Sequence, residues 1–165
     1  MKKWAIRPKE EANLLNPAFC CIIVSASIRE YSALQNAGMP FPVSYLILPI
    51  VLHKPTRDAL PGSVRTSMAA WMHDNAALRI QFPERLRSLR PFTSEAIRWG
   101  INYQWLEAKA GGRLSPRISE SAMTRALRIL QDEARECVLR ARLVGKWFAN
   151  AGSSSTVMAF WGIRP

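Results

Sequence analysis

Histidine, cysteine and acidic side chains are all scarce in this chain, and each shortage removes a class of chemistry. There are two histidines, His53 and His73. Neither lies in a ligand-spaced motif such as H-E-x-x-H, so no metal centre is expected. The cysteines number three. Cys20 and Cys21 adjoin inside an apolar run, where cysteine behaves as a small hydrophobe, and Cys137 stands far from both. No C-x-x-C occurs and no histidine cluster adjoins them, so a reducing, cytoplasmic setting fits best. The chain also lacks G-x-x-x-x-G-K-[ST] and G-x-S-x-G, which removes a nucleotide-binding P-loop and a hydrolase elbow. No cofactor is expected. The apolar run Val43 to Leu52 falls far short of the ~20 residues a membrane helix needs, so no membrane partner is expected. Lys2-Lys3 followed by Ala12 to Ala26 has the outline of an export signal. Glu10 and Glu11 interrupt its basic part and Asn13, Asn16 and Pro17 its apolar part, so export is not expected.

What remains is apolar and basic. Hydrophobic residues make up 48% of the 165 and charged residues 21%, a globular balance for a single domain over residues 1–165. A core of that size needs no disulfide or metal to hold it. Lys and Arg total 23 against 12 Asp and Glu, for a net charge of +11. Such a surface suits a polyanion, either nucleic acid or an acidic protein face, or serves only solubility; charge constrains partners and not fold.

Read along the chain, residues 1–12 form an extended arm, because Pro8 pushes Arg7 out of helical geometry. Asn16 offers an N-cap and Pro17 suits the first helical position. Phe19, Ile22, Ile23, Ala26, Tyr31 and Leu34 then recur at roughly helical spacing until Gly38 and Pro40 stop the helix. Met39-Pro40-Phe41-Pro42 reads as a stiff linker, and Val43 to His53 as a buried helix bent at Pro49. Thr56 to Leu60 reads as a turn-rich piece between prolines. Thr66-Ser67 caps a short helix with Met68, Trp71 and Met72. Pro83 starts another through Leu89, and Thr93 caps a third. Gly111-Gly112 between two short runs from Leu106 to Ser115 is a hairpin signature. Helix followed by hairpin is how a recognition helix meets its wing, so residues 93–117 are expected to be winged-helix-like. Ser119 caps a long helix over 120–149, with an apolar stripe including Met123, Leu127, Leu130, Val138 and Phe148. Arg128, Arg135 and Arg142 share another face, extended by Lys146. Residues 153–165 form a tail with a short apolar element, Thr156 to Trp161.

Catalytic potential gathers at His53, Arg57 and Asp58, which lie within six residues. The structural alternative is that Arg57-Asp58, beside Pro55 and Pro61, lies in a loop fixed by an ion pair or by side-chain to backbone bonds, and no third group orients the histidine as triad logic requires. Arginines offer a different chemistry, since their planar fork suits phosphate or carboxylate. Arg79, Arg85, Arg87 and Arg90 cluster in one region. Arg113 and Arg117 flank the hairpin, and Arg128 and Arg135 line the long helix, where the alternative is a solvated face. Trp4 and Trp161, near the ends, suit partner pockets or packing back onto their own domain.

Four stretches carry a resemblance. They are Trp4-Ala5-Ile6-Arg7-Pro8 with Glu11 through Phe19; Leu48 through Lys54 with Thr56-Arg57 and Leu60-Pro61; Thr66-Ser67 with Trp71; and Trp161-Gly162-Ile163-Arg164-Pro165. The order Phe82, Leu86, Pro91, Thr93, Glu95-Ala96, then a hairpin, agrees. In this the chain resembles the middle component of three-component ABC-ATPase bacterial conflict systems of the Lamassu type, which defend against phage and plasmids. The resemblance implies a non-enzymatic adaptor. Its partners would be an SMC-like ABC ATPase, an effector such as a nuclease held inactive until foreign DNA is sensed, and, by fold-level analogy, double-stranded DNA. The expectation is therefore a mainly α, compact helical domain with a small winged-helix-like β-hairpin. Partner contacts are expected at Trp4, Arg7, Glu11, Trp161 and Arg164, and DNA contacts at Arg113, Arg117, Arg128 and Arg135. The alternatives are a stand-alone winged-helix DNA-binding regulator and a small enzyme using His53, Arg57 and Asp58.

Overall fold

Asn16 and Pro17 start the first helix as their chemistry dictates. The Asn16 Oδ1 accepts the Ala18 N–H at 2.8 Å and Pro17 takes the first position of α1, Pro17–Gln35. Its stop comes at Asn36, whose left-handed backbone (φ 49°) closes the helix before Gly38 or Pro40 is reached. In the computed structural model residues 15–163 are described. After α1 they form β1 (Met39–Pro40), α2 (Phe41–Ser44), α3 (Ile47–Val51), α4 (Lys54–Ala59), α5 (Met68–Asp74), α6 (Ala76–Ile80) and α7 (Phe82–Asn102). Then follow β2 (Leu106–Lys109), β3 (Arg113–Pro116), α8 (Glu120–Ile129), α9 (Asp132–Asn150) and α10 (Ser154–Phe160). The domain is mainly helical, with one small antiparallel sheet. Among the described residues no helix is long and apolar enough to cross a membrane.

The centre of the fold is α1, buried on more than one face from Cys20 to Tyr31. It packs most extensively on α9 and next on α7. Small residues let these helices close. A Cβ placed on Gly145 of α9 would fall 2.8 Å from the carbonyl carbon of Ser27 in α1, and one on Gly100 of α7 would meet the Cys21 sulfur at 2.7 Å.

The hairpin lies where the sequence puts it, with Gly111 and Gly112 at φ 73° and 65° turning β2 into β3. It gains a third strand, in the order β1-β3-β2. Met39-Pro40 is therefore not a free linker but an edge strand, Met39 opposite Leu114 and Pro40 opposite Arg113. Proline is tolerated there because an edge leaves its missing N–H without consequence.

Other expectations need correcting. The stretch from Val43 to His53 is buried but divides into α2 and α3 rather than bending as one helix. The piece at Thr56 is helical, as α4. No break separates Leu89 from Thr93: α7 runs through Pro91, and Thr93 Oγ1 donates to the Leu89 carbonyl at 3.1 Å instead of capping a new start. Pro91 and Arg87 are both exposed, so the carbonyl deprived of its donor can turn to water. Buried Phe82 and Ile97 hold the two halves onto one core. Conversely, the single helix over 120–149 is two. Ser119 caps α8 as expected, but Leu130 is extended and Asp132 has φ 29°. At the joint the stripe residue Leu130 stays half-buried against the core, while Ile129, outside the stripe, is 79% exposed. Redirection there lays α9 along α1, and Asp132 and Glu133 stand in its first turn, where negative charge is favourable.

Candidate functional site

Arg57 is the most enclosed charge among the described residues, 2% exposed, set one turn into α4 so that it faces α9. Its Nη1 donates to the Val51 carbonyl at 2.9 Å and lies 3.3 Å from the Cys137 sulfur, and its Nη2 donates to Glu133. Burial opposes the charge, but the hydrogen bond to Glu133 and the neighbouring acidic groups outweigh it and raise the guanidinium pKa. An apolar groove of about 400 Å³ opens beside it, lined by Phe19, Leu52, Leu130 and Cys137. Nε makes no hydrogen bond among the described residues and lies 3.9 Å from a Glu136 carboxylate oxygen.

The three residues considered for catalysis do not converge. Arg57 and Asp58 are fixed by ion pairs and, for Arg57, by a side-chain to backbone bond, but not to each other: Arg57 reaches the Val51 carbonyl and Glu133, while Asp58 takes Lys54 at 2.6 Å, which holds its carboxyl below the usual range. His53 Nδ1 bonds Thr56 Oγ1 at 2.7 Å, and partial burial with the charge of Arg85 lowers its pKa. Arg57 and Asp58 diverge because successive residues of α4 point about 100° apart, and His53 precedes that helix as its extended N-cap. Among the described residues no group of three or more His, Cys, Asp or Glu is placed to hold a metal.

The arginines divide into those engaged within the fold and those left on the surface. Arg113 donates to the Gly38 carbonyl at 2.8 Å, clipping the sheet to the end of α1. Arg117 lies 3.6 Å from Glu107, which Lys109 also binds at 2.6 Å, and the Lys109 bond lowers the Glu107 pKa. Arg142 and Lys146 do not prolong a free basic line, since both reach Glu30 of α1. Glu120 joins that network through Arg29 at 2.7 Å and Arg142 at 3.4 Å, tying α8 to α1 and α9. Arg85 turns inward to the Leu78 carbonyl at 3.0 Å. Arg128 and Arg135 are exposed and have no ion pair among the described residues, but they sit on separate helices either side of the break.

Trp161 is fully buried, its ring 4.5 Å from Phe82 and 5.9 Å from Trp71. The sequence offered it either as a partner anchor or as packing back onto its own domain, and its ring lies in the core of that domain. Trp4, Arg7, Glu11 and Arg164 lie outside the described residues. Sequence reasoning missed Glu30 and Glu133 as the acids that organise the interior. No local signal marks them, because Arg57 and Glu133 are 76 residues apart.

Comparison with known proteins gives one family: that described as ABC-three component (ABC-3C) system Middle Component 3 matches residues 4–165. No curated protein and no solved structure matches.

Proposed function

Because the chain belongs to the Middle Component 3 family of ABC-three component systems, we propose that it is a non-enzymatic accessory subunit bridging an SMC-like ABC ATPase and an effector such as a nuclease. The assembly is a cytoplasmic, Lamassu-type anti-phage or anti-plasmid complex, and DNA is contacted through exposed arginines, Arg128 and Arg135 among them. The observation that carries this reading is a family match spanning residues 4–165. Two physical features support it. His53, Arg57 and Asp58 are each engaged by different neighbours, so they make no common reacting position. The chain also carries net charge +11 with several arginines left outside internal ion pairs, as suits anionic partners.

The test is co-expression of the tagged chain with the ABC component and the third component, followed by sizing of what co-purifies. Co-elution with both components is the expected result. A lone monomer or homodimer overturns the reading and favours a second one, a stand-alone winged-helix DNA-binding regulator, which the helix-then-hairpin order of α7, β2 and β3 supports. Such a regulator binds duplex by itself with a steep log–log salt dependence.

A further inference from the structure

A second apolar groove lies between α2, α7 and α10. Its volume is about 400 Å³, and Phe41, Tyr45, Leu86, Arg90, Met158 and Ile163 line it. Its wall is ordered by contacts within the fold. The Tyr45 hydroxyl and Ser94 Oγ are 3.0 Å apart, and the Phe41 ring meets Tyr45 edge-on at 5.2 Å. Phe41 nevertheless remains 40% exposed. Arg90 stands at the rim, with Arg87 one turn earlier on α7. A third cation is close by: a Cβ on Gly162, next to the lining residue Ile163, would lie 3.8 Å from Arg79 Cγ. Arg79, Arg87 and Arg90 are all exposed, and among the described residues none of them has an ion-pair partner. Among the described residues no carboxylate lines the groove.

This combination discriminates between anionic partners. A phosphate backbone would engage the arginines and leave the apolar wall empty. An acidic protein segment with one aromatic or branched aliphatic residue uses both: the side chain is buried in the groove while its neighbouring carboxylates meet guanidinium forks. We propose that this groove is the docking site for an acidic segment of the ABC component, which seats an apolar side chain against Phe41, Tyr45 and Leu86 and sets carboxylates on Arg90 and Arg87. The inference rests on the accessory-subunit reading above and adds to it a surface and a partner chemistry. Arg90 and Arg87 steer association, and the Phe41 wall governs dissociation.

The experiment is a titration of the purified ABC component into the labelled full chain at low and moderate salt. It compares wild type with Arg90→Glu, Phe41→Ser and, as a control on another face, Arg125→Glu. Arg90→Glu and Phe41→Ser should each weaken binding about tenfold or more, with a flatter salt dependence for Arg90→Glu, and Arg125→Glu should match wild type. Thermal melts monitor folding; if Phe41→Ser melts early, Arg87→Glu takes its place. Wild-type affinity in both groove variants overturns the groove assignment while leaving the accessory-subunit reading intact. Failure of the wild type to bind the ABC component overturns both. Loss of duplex DNA binding in Arg90→Glu, with binding of the ABC component unchanged, overturns the assignment in favour of nucleic acid.

Discussion

Replacing Gly145 with alanine tests whether α1 and α9 meet as closely as described. In an isolated helix the change is favourable by about 1 kcal/mol, because alanine restricts the unfolded chain more than glycine does. Here the added Cβ would lie 2.8 Å from the carbonyl carbon and 2.9 Å from the Cα of Ser27, and closer still to the carbonyl oxygen. Those atoms are backbone inside a buried helix and cannot swing aside. Ordinary contact requires α9 to withdraw by roughly 1 Å, and close-packed interiors resist such insertion by about 1–3 kcal/mol, occasionally more. The withdrawal also loosens the contacts that Val144 and Phe148, both buried, make with the rest of the core. With three backbone atoms of Ser27 inside 3 Å the cost should lie at the upper end, about 3 kcal/mol, which less the ~1 kcal/mol helix gain leaves a net destabilisation of about 2 kcal/mol, or a melting temperature lower by roughly 4–8 °C for a chain of this length. Thermal and guanidinium unfolding followed by circular dichroism would measure it, against Gly62→Ala, whose added Cβ meets nothing within 4 Å. A melting temperature equal to or above wild type for Gly145→Ala would refute the close crossing.

Two further outcomes follow from the same core. Trp161→Ala removes a fully buried ring packed on Phe82 and Trp71 and should cost about 3–5 kcal/mol in guanidinium unfolding; unchanged stability with loss of partner binding alone would return Trp161 to the role of an anchor. Burial pushes the Cys21 thiol from 9.0 up to about 11, against a hydrogen bond with Ser25 that lowers it. The unfolded chain therefore releases this proton first. The stability tied to the protonated thiol is intact below pH 9 and should fall by about 3 kcal/mol as pH rises towards 11. Unfolding measured across that window should show a shallower fall for Cys21→Ala, and parallel curves would contradict the shift.

Much of the fold was legible because it depends on neighbours in sequence. Asn16, Ser67 and Ser119 each accept a hydrogen bond from a backbone N–H two or three residues on, as their sequence context leads one to expect, and Ser153, which the sequence marks only as part of a break, does the same. Gly111-Gly112 supplies the two positive φ angles its turn requires. Misreadings arose where a local rule met a distant contact. Pro91 and Thr93 carry the marks of a helix boundary, yet the buried residues on both sides keep α7 continuous. Around Leu130 the local pattern favours continuation, yet the chain turns because α9 packs along α1. Met39-Pro40 has no strand pattern of its own and is a strand only because β3 lies beside it. Of the candidate site, the basic character was visible and its distribution was not. The chain offers Arg57, Arg113, Arg117 and Arg142 in the same terms as Arg79, Arg87 and Arg90.

By itself the sequence determined a mainly helical domain, most of its helix starts, the hairpin and an excess of arginine, since capping, turn geometry and net charge involve only nearby atoms or simple counts. Only the tertiary structure decided which arginines are taken up inside. Glu30 and Glu133 reach partners 112 and 76 residues away, and such distances are closed by the packing of helices that share no local pattern. It also turned Trp161 into core and left Phe41 beside unengaged arginines, because exposure depends on what the rest of the chain covers.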